Sequence, residues 1–249
     1  MDSRAMRDDH AARLLGQGPA KRLEMPLLAS VAGLAHGFTA SGSDPAAVVR
    51  EAVGRDLPLR TLKQVHGAAV RRAGGSDRAA TLPPPEGDAL ITAEAGLALG
   101  VWVADCVPIL VCDPRTRALA AVHAGWRGTT ARVLDAAVGA LGAAFGSRPA
   151  DLIVALGPAI GPCCFEVGDE VVERLLEADP GAAACVLGGR RRRIDLPSAN
   201  RRQALAAGVR PERVAAAGLC TVCRADLLES YRRQRGAGGR MAGLIAWRS

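Results

Sequence analysis

A chain of 249 residues, 49% hydrophobic and 23% charged, has a globular composition that excludes wholesale disorder and is long enough to bury one substantial core. Its net charge of +7 rests on arginine, Lys21 and Lys63 being the only lysines, and acids interleave with the arginines except in the run at 190–193. With three Phe, three Trp and one Tyr available for stacking, this pattern describes a solvated face and argues against a nucleic-acid partner, whereas a small anion needs only one or two arginines.

Residues 1–21 carry no sustained periodicity and are expected to form a flexible extension or a poorly packed helix, with a single catalytic domain over 22–249. The stretches LEMPLL, LAHGFT, LRTLKQVHGAAVRRA and DALIT predict short strands, interrupted by a helix over Pro45–Val53 and a Pro-rich loop at 82–87. The apolar runs LALGVWVAD, VPILVCD and ALAAVHAG follow, each closed by a turn signal, as expected of buried strands. Next comes a helix that Thr129 or Thr130 is placed to cap, with Val133, Leu134, Ala137, Val138, Leu141 and Phe145 as its apolar face. DLIVALG predicts another strand, VGDEVVERLLEAD and PSANRRQALAAGV two helices, and MAGLIAW a last strand. Strands that first cluster and then alternate with helices predict an α/β (α+β) fold, a single layered domain with a mixed β-sheet covered by helices. No run of roughly 18 apolar residues offers a membrane span. The amino terminus is charged where a signal peptide is apolar, so a cytoplasmic protein is expected. Seven cysteines then read as core residues, ligands or nucleophiles and not as a disulfide framework.

Three residues stand where strand-like runs meet turns: His66 in LKQVHG, Cys106 in WVADCVP and His123 in AAVHAGWRG. Imidazole and thiolate are zinc's preferred side chains, and a set of three leaves a fourth tetrahedral position for water or substrate. Asp105 stands beside the set, to orient a ligand or move a proton. The same residues also fit a thiol nucleophile, Cys106, activated by His123, or a buried cysteine with two hydrogen-bonded histidines. In HAGWRGTT, Gly125, Gly128 and the amides near Thr129 suggest an anion pocket at a helix start, with Arg127 adding charge. Cys220 and Cys223 in CTVC, with Cys163 and Cys164, are read as core residues or supports behind the ligands, because no second matching Cys-x-x-Cys exists. The segment SYRRQRGAGGRMAG brings Tyr231, Arg232, Arg233 and Arg240 into a glycine-rich stretch able to close over an anion.

In order, HGFT, QVHG, GDALIT, ADCVPILVCDP, AVHAGWRGT, LGPAIGPCCFEVG, IDLPSANRRQAL, CTVC and SYRRQRGAGGRMA cover nearly everything after residue 30. Together they resemble the family long labelled multicopper polyphenol oxidoreductase (laccase) domain, now regarded as FAMIN-like purine nucleoside phosphorylases. The resemblance implies one zinc per chain held by His66, Cys106 and His123, to which the reading of the residues adds Asp105 as a catalytic candidate. It also implies phosphorolysis of adenosine, inosine and S-methyl-5'-thioadenosine, and deamination of adenosine. On the reading of the residues themselves, phosphate and substrate would meet Gly125, Arg127, Gly128, Arg232 and Arg240. The chain departs from the family pattern at 39–49, where ASGSDPAAVV stands in place of an Arg and a Gly-Gly-Val-Ser stretch. Copper is not expected, since four histidines are too few for a laccase. The rival readings are a cysteine-nucleophile hydrolase, a factor editing peptidoglycan precursors, and a nucleoside-binding protein without turnover.

Overall fold

Strands that are apolar on both faces need cover on both, and that requirement organises the chain. The computed structural model describes residues 11–74 and 83–249. Its first part runs β1 (Arg13–Leu15), β2 (Arg22–Glu24), α1 (Pro26–Ala29), β3 (Leu34–Thr39), α2 (Pro45–Val53), β4 (Leu59–Arg60), β5 (Val70–Arg72) and β6 (Ala89–Thr92). The middle holds β7 (Ala98–Val103), β8 (Val107–Asp113), β9 (Ala118–Ala124), α3 (Trp126–Thr130), α4 (Val133–Phe145) and β10 (Ile153–Leu156). The remainder is β11 (Glu166–Val167), α5 (Asp169–Ala178), β12 (Val186–Leu187), β13 (Arg192–Ile194), α6 (Leu196–Ala206), β14 (Val214–Ala216), α7 (Tyr231–Gln234) and β15 (Met241–Trp247).

The mixed, helix-covered α+β class is as expected, but the strands divide between two large sheets instead of one. Among the described residues one six-stranded sheet has the order β1-β2-β3-β15-β7-β4, the other β14-β10-β8-β9-β6-β5, and β11-β13-β12 form a small third. Alternation along each strand feeds two cores. Leu110 and Cys112 of β8, Leu119 and Ala121 of β9, and Ile153 and Ala155 of β10 pack with Phe38, Leu99, Val101, Ile245 and Trp247 of the first sheet. Their neighbours Ile109, Val111, Ala120, Val122 and Val154 point the other way, against Val133, Leu134, Ala137 and Leu141 of α4. On the outer face of the first sheet, Ala242, Leu244 and Ala246 of β15 meet Val48 and Val49 of α2. The layers therefore run helix, sheet, sheet, helix.

Several local expectations change. LEMPLL is not one strand: β2 ends at Glu24 and Pro26 opens α1, where its missing N–H is no loss. LRTLKQVHGAAVRRA splits into β4 and β5, leaving His66 in the loop between them. Neither threonine caps the long helix; Thr129 and Thr130 lie within α3, and Arg132 at φ 59 breaks the chain before α4 begins. Of the expected extension, residues 1–10 lie outside the described residues, while β1 pairs antiparallel with β2, Leu14 opposite Leu23. An exposed three-residue edge strand leaves too little periodicity to recognise. Of the Pro-rich loop, residue 82 is outside the described residues and 83–87 is irregular apart from a bridge between Lys63 and Glu86. No helix among the described residues is long and apolar enough to cross a membrane.

His36 of β3 belongs to this scaffold. It is 3% exposed, and its Nε2 accepts a hydrogen bond from the Met25 amide at 2.9 Å. Burial, followed by the charges of Arg22 and Arg248, lowers its pKa from 6.5 to about 4. Between those values the unfolded chain takes up a proton that the folded one refuses. Stability is thus complete above about pH 6.5 and lost as pH falls toward 4. From this residue alone the protein should be about 2 kcal/mol less stable near pH 5 than near pH 7. Urea unfolding at the two pH values should show that slope, and His36→Gln should flatten it; an unchanged slope in the variant would discount the role.

Candidate active site

In the antiparallel ladder of β8 and β9, Val107 stands opposite Ala124. Cys106, just before β8, and Gly125, just after β9, therefore face each other at one sheet margin. A Cβ on Gly125 would lie 2.9 Å from Cys106 Sγ and 3.1 Å from His66 Cδ2, so only glycine leaves room for both side chains.

His66 is brought there by Asp88, a fully buried carboxylate immediately before β6. Asp88 accepts hydrogen bonds from the amides of Val65 (3.3 Å), His66 (2.9 Å) and Gly67 (2.7 Å). Those bonds hold His66 at φ 60, a left-handed conformation that costs a non-glycine residue roughly 1–2 kcal/mol. The same carboxylate lies 2.8 Å from Nδ1 of His123, whose own amide donates to the Asp88 carbonyl at 2.8 Å. With Nδ1 so engaged, Nε2 of His123 is left to face the other two side chains. The rings of His66 and His123 meet edge to face, centroids 4.8 Å apart.

One ligand atom from each of His66, Cys106 and His123 lies within 4.8 Å of the others. His123 is buried, Cys106 partly buried and His66 exposed, so the set is closed behind and open on the His66 side. Two imidazoles and a thiol, one imidazole braced by a carboxylate, are a donor set that suits zinc and leaves a position free. The electrostatics favour the deprotonated thiol. Burial pushes Cys106 up, yet His123 and His66 outweigh it and bring the thiol to about 7. Burial also pushes His123 down, but Asp88 and Cys106 raise it to about 9. Burial raises Asp88 too, and the His123 ring with the Gly67 and His66 amides more than reverses this.

The set opens into a cleft of about 510 Å³ whose wall also includes Gln64, Trp102, Asp105, Trp126, Arg127 and Ile160. Phe165, Tyr231, Arg232 and Arg240 also line it. Asp105, at φ 88, accepts from Thr221 Oγ1 at 2.5 Å and from the Arg232 amide at 2.7 Å, which ties α7 to the cleft. Arg127 stacks on Trp126, 4.3 Å from the ring centroid. Gln64 is fixed by a reciprocal pair of bonds to the Trp102 backbone, at 2.8 and 2.7 Å.

The expected anion pocket in HAGWRGTT forms only in part. Arg127 lines the cleft, but Gly128 is packed behind it, with Gly67 O 3.2 Å from where a Cβ would sit. The Thr129 amide already donates to Gly125 O at 2.8 Å. Arg233 is likewise committed, to the carbonyls of Thr221, Val222 and Leu228. Nor do all four cysteines around CTVC belong to the core, although Cys164 packs against it. Cys163 and Cys223 are exposed, and all four sulfurs converge. Sequence reasoning missed Asp88 altogether; its signal was an acid immediately after glycine at the start of an apolar strand, GDALIT.

Residues 41–248 match the family described as multi-copper polyphenol oxidoreductase laccase. The chain is 39% identical over 204 residues to the purine nucleoside phosphorylase YlmD of Geobacillus stearothermophilus, covering 75% of this chain and 71% of that protein. It is 36% identical over 185 residues to the purine nucleoside phosphorylase YfiH of Escherichia coli, covering 74% and 72%. The crystal structure of the Geobacillus YlmD superposes with a TM-score of 0.86 at 32% identity, over 96% of this chain and all of that one. The fold, the order of the motifs and these similarities agree: the chain belongs to the multi-copper polyphenol oxidoreductase laccase family, whose relatives here are named purine nucleoside phosphorylases.

Proposed function

We propose that this chain is a cytoplasmic, zinc-dependent purine nucleoside phosphorylase that cleaves adenosine, inosine and S-methyl-5'-thioadenosine with inorganic phosphate and also deaminates adenosine. The observation that carries this reading is the three-donor set of His66, Cys106 and His123 opening into a cleft that holds both aromatic faces and arginines. The names of the relatives support the reaction class. A cleft of about 510 Å³ suits a nucleoside, since small-molecule pockets run to roughly 300–1,000 Å³.

In phosphorolysis an oxygen of phosphate bonds to C1' of the ribose as the C1'–N9 bond breaks. The bonding pair leaves with the purine, which takes up a proton to become the free base. Arg127, Arg232 and Arg240 supply cationic donors to the phosphate. Trp102, Trp126, Phe165 and Tyr231 offer faces and edges to the purine. Asp105 acts on position: its carboxylate holds the Arg232 amide, so the arginine is set where α7 enters the cleft. Gly125 keeps the backbone clear of both ligand side chains, and Asp88 fixes the His123 tautomer. His66, Cys106 and His123 would hold a zinc ion, which would supply the Lewis acidity that hydrolytic deamination at C6 of adenine requires. Copper is the less suitable ion, because a laccase needs a far larger histidine set than four.

Zinc-loaded protein given adenosine and phosphate should yield adenine and ribose 1-phosphate, and inosine when phosphate is left out. Arg127→Gln should raise the KM for phosphate roughly tenfold, about 1.4 kcal/mol, with less effect on the KM for nucleoside. Release of no base from any of the three nucleosides, or copper in place of zinc at the His66 site, would reject the assignment. A second reading, a cysteine-nucleophile hydrolase, draws on the lowered Cys106 thiol beside His123.

A further inference from the structure

Two turns far apart in sequence bring four thiols together next to residues of the cleft wall. Cys163 and Cys164 lie between β10 and β11, Cys220 and Cys223 between β14 and α7. A parallel bridge between Ala159 and Cys220 joins the turns, with the Thr221 amide donating to Ala159 O at 3.0 Å. The four sulfurs all lie within 4.8 Å of one another. Cys223 Sγ is 3.6 Å from that of Cys163 and 3.5 Å from that of Cys164.

Those separations discriminate between the possible chemistries. A disulfide brings two sulfurs to about 2.05 Å. Four thiolates each about 2.3 Å from one tetrahedral ion stand about 3.8 Å apart along every edge. The two Cys223 separations are close to such an edge and far from a disulfide bond, and the four sulfurs stay within 4.8 Å of one another. Cys223, in contact with two sulfurs at once, has the neighbours of a shared ligand sphere, whereas a disulfide would select one of them. Packing does not explain the cluster either, since Cys163 and Cys223 are exposed where a core cysteine would be covered. The Gly161 amide donates to Cys220 Sγ at 3.3 Å, an N–H···S bond of the kind that supports a metal-bound thiolate.

We propose that Cys163, Cys164, Cys220 and Cys223 form a second metal centre, a closed four-sulfur site for a zinc ion, separate from the open site of His66, Cys106 and His123. Four protein ligands leave no position for substrate, so the centre is structural. What it holds together is the cleft wall. The first turn carries Ile160 and Phe165 into the cleft, and the carbonyls of Cys164 and Glu166 accept from the Arg232 guanidinium at 3.4 and 3.1 Å. The second turn carries Thr221, whose hydroxyl holds Asp105. An ion binding both turns would fix the partners of Arg232 and of Asp105 together.

Elemental analysis of the full-length protein, purified under reducing conditions and loaded with zinc, tests this apart from any activity. Wild type should hold two zinc ions per chain, Cys106→Ala one, and Cys163→Ser/Cys223→Ser one. Because Cys106→Ala leaves the cluster untouched, loading that variant with cobalt should give the intense thiolate-to-cobalt absorption of a four-sulfur site, independently of whether the double variant folds. Cys223→His should keep the ion with a weakened sulfur band. The proposal is overturned if Cys106→Ala binds no ion and its remaining thiols react freely, or if mass spectrometry of the reduced-purified protein finds the cluster joined as disulfides.

Discussion

Cys106→Ala is expected to leave the protein folded, one metal ion short, and about a thousandfold or more slower in releasing adenine from adenosine. The fold should survive because the side chain is small, partly buried, and sits before β8 at a margin where a methyl group meets no new obstacle. The ion should be lost because His66 and His123 alone offer two donors, and His66 stands on an exposed loop. A thousandfold loss corresponds to about 4 kcal/mol of barrier, within what a bound Lewis acid contributes. Metal analysis beside single-turnover rates would read both effects. The thiol-nucleophile reading makes the opposite forecast: metal-free protein would be fully active and would lose that activity on alkylation of Cys106. Chelation followed by zinc restoration separates the two, since recovery with zinc is expected only of the metal enzyme.

Much of this site was legible because its parts lie at the ends of long apolar runs. VPILVCD and ALAAVHAG are buried on both faces, so both announce themselves as strands, and their antiparallel register puts Cys106 beside Gly125. His66 was legible as a residue where an apolar run meets a turn, but its approach to Cys106 and His123 was not, for its loop owes its shape to Asp88, 22 residues away. A lone acid before a strand looks like any turn residue; nothing local marks it as the acceptor of three amides and a ring nitrogen. The second sheet was hidden for a related reason. The burial of Leu244 and Ile245 on opposite faces is clear from composition, but not that one meets α2 and the other a second sheet. The cysteine cluster is the plainest case. Cys163 and Cys164 are adjacent in sequence, which makes them an unpromising pair of ligands until the bridge at Ala159 and Cys220 brings the CTVC turn to them. Local pattern therefore identified elements, and the contacts that assemble the site span distances that pattern does not encode.

Asp88→Asn should be the most damaging conservative substitution in the chain, lowering both stability and metal affinity. The two oxygens of Asp88 are used differently: Oδ1 meets the His66 amide and the His123 ring, while Oδ2 accepts from Gly67 and Val65. An asparagine must place its NH2 group on one of those sides, against donors, at a residue with no solvent exposure to relieve the conflict. Breaking a buried pair of this kind costs about 3–5 kcal/mol, and 1 kcal/mol moves Tm by about 2–4 °C in a protein of this size, so a fall of roughly 6–20 °C is expected. The His66 loop would lose the bonds that hold its left-handed turn. His123 would lose the partner that keeps Nε2 free to bind metal, an effect of about 10–100-fold in affinity for supporting carboxylates of this type. Zinc competition titrations and thermal unfolding measure the two losses separately. Falling affinity with an unchanged Tm would confine Asp88 to orienting the ligand, and a falling Tm with unchanged affinity would confine it to the fold. If neither moves, the carboxylate does not organise the site, and another contact must bring His66 to His123.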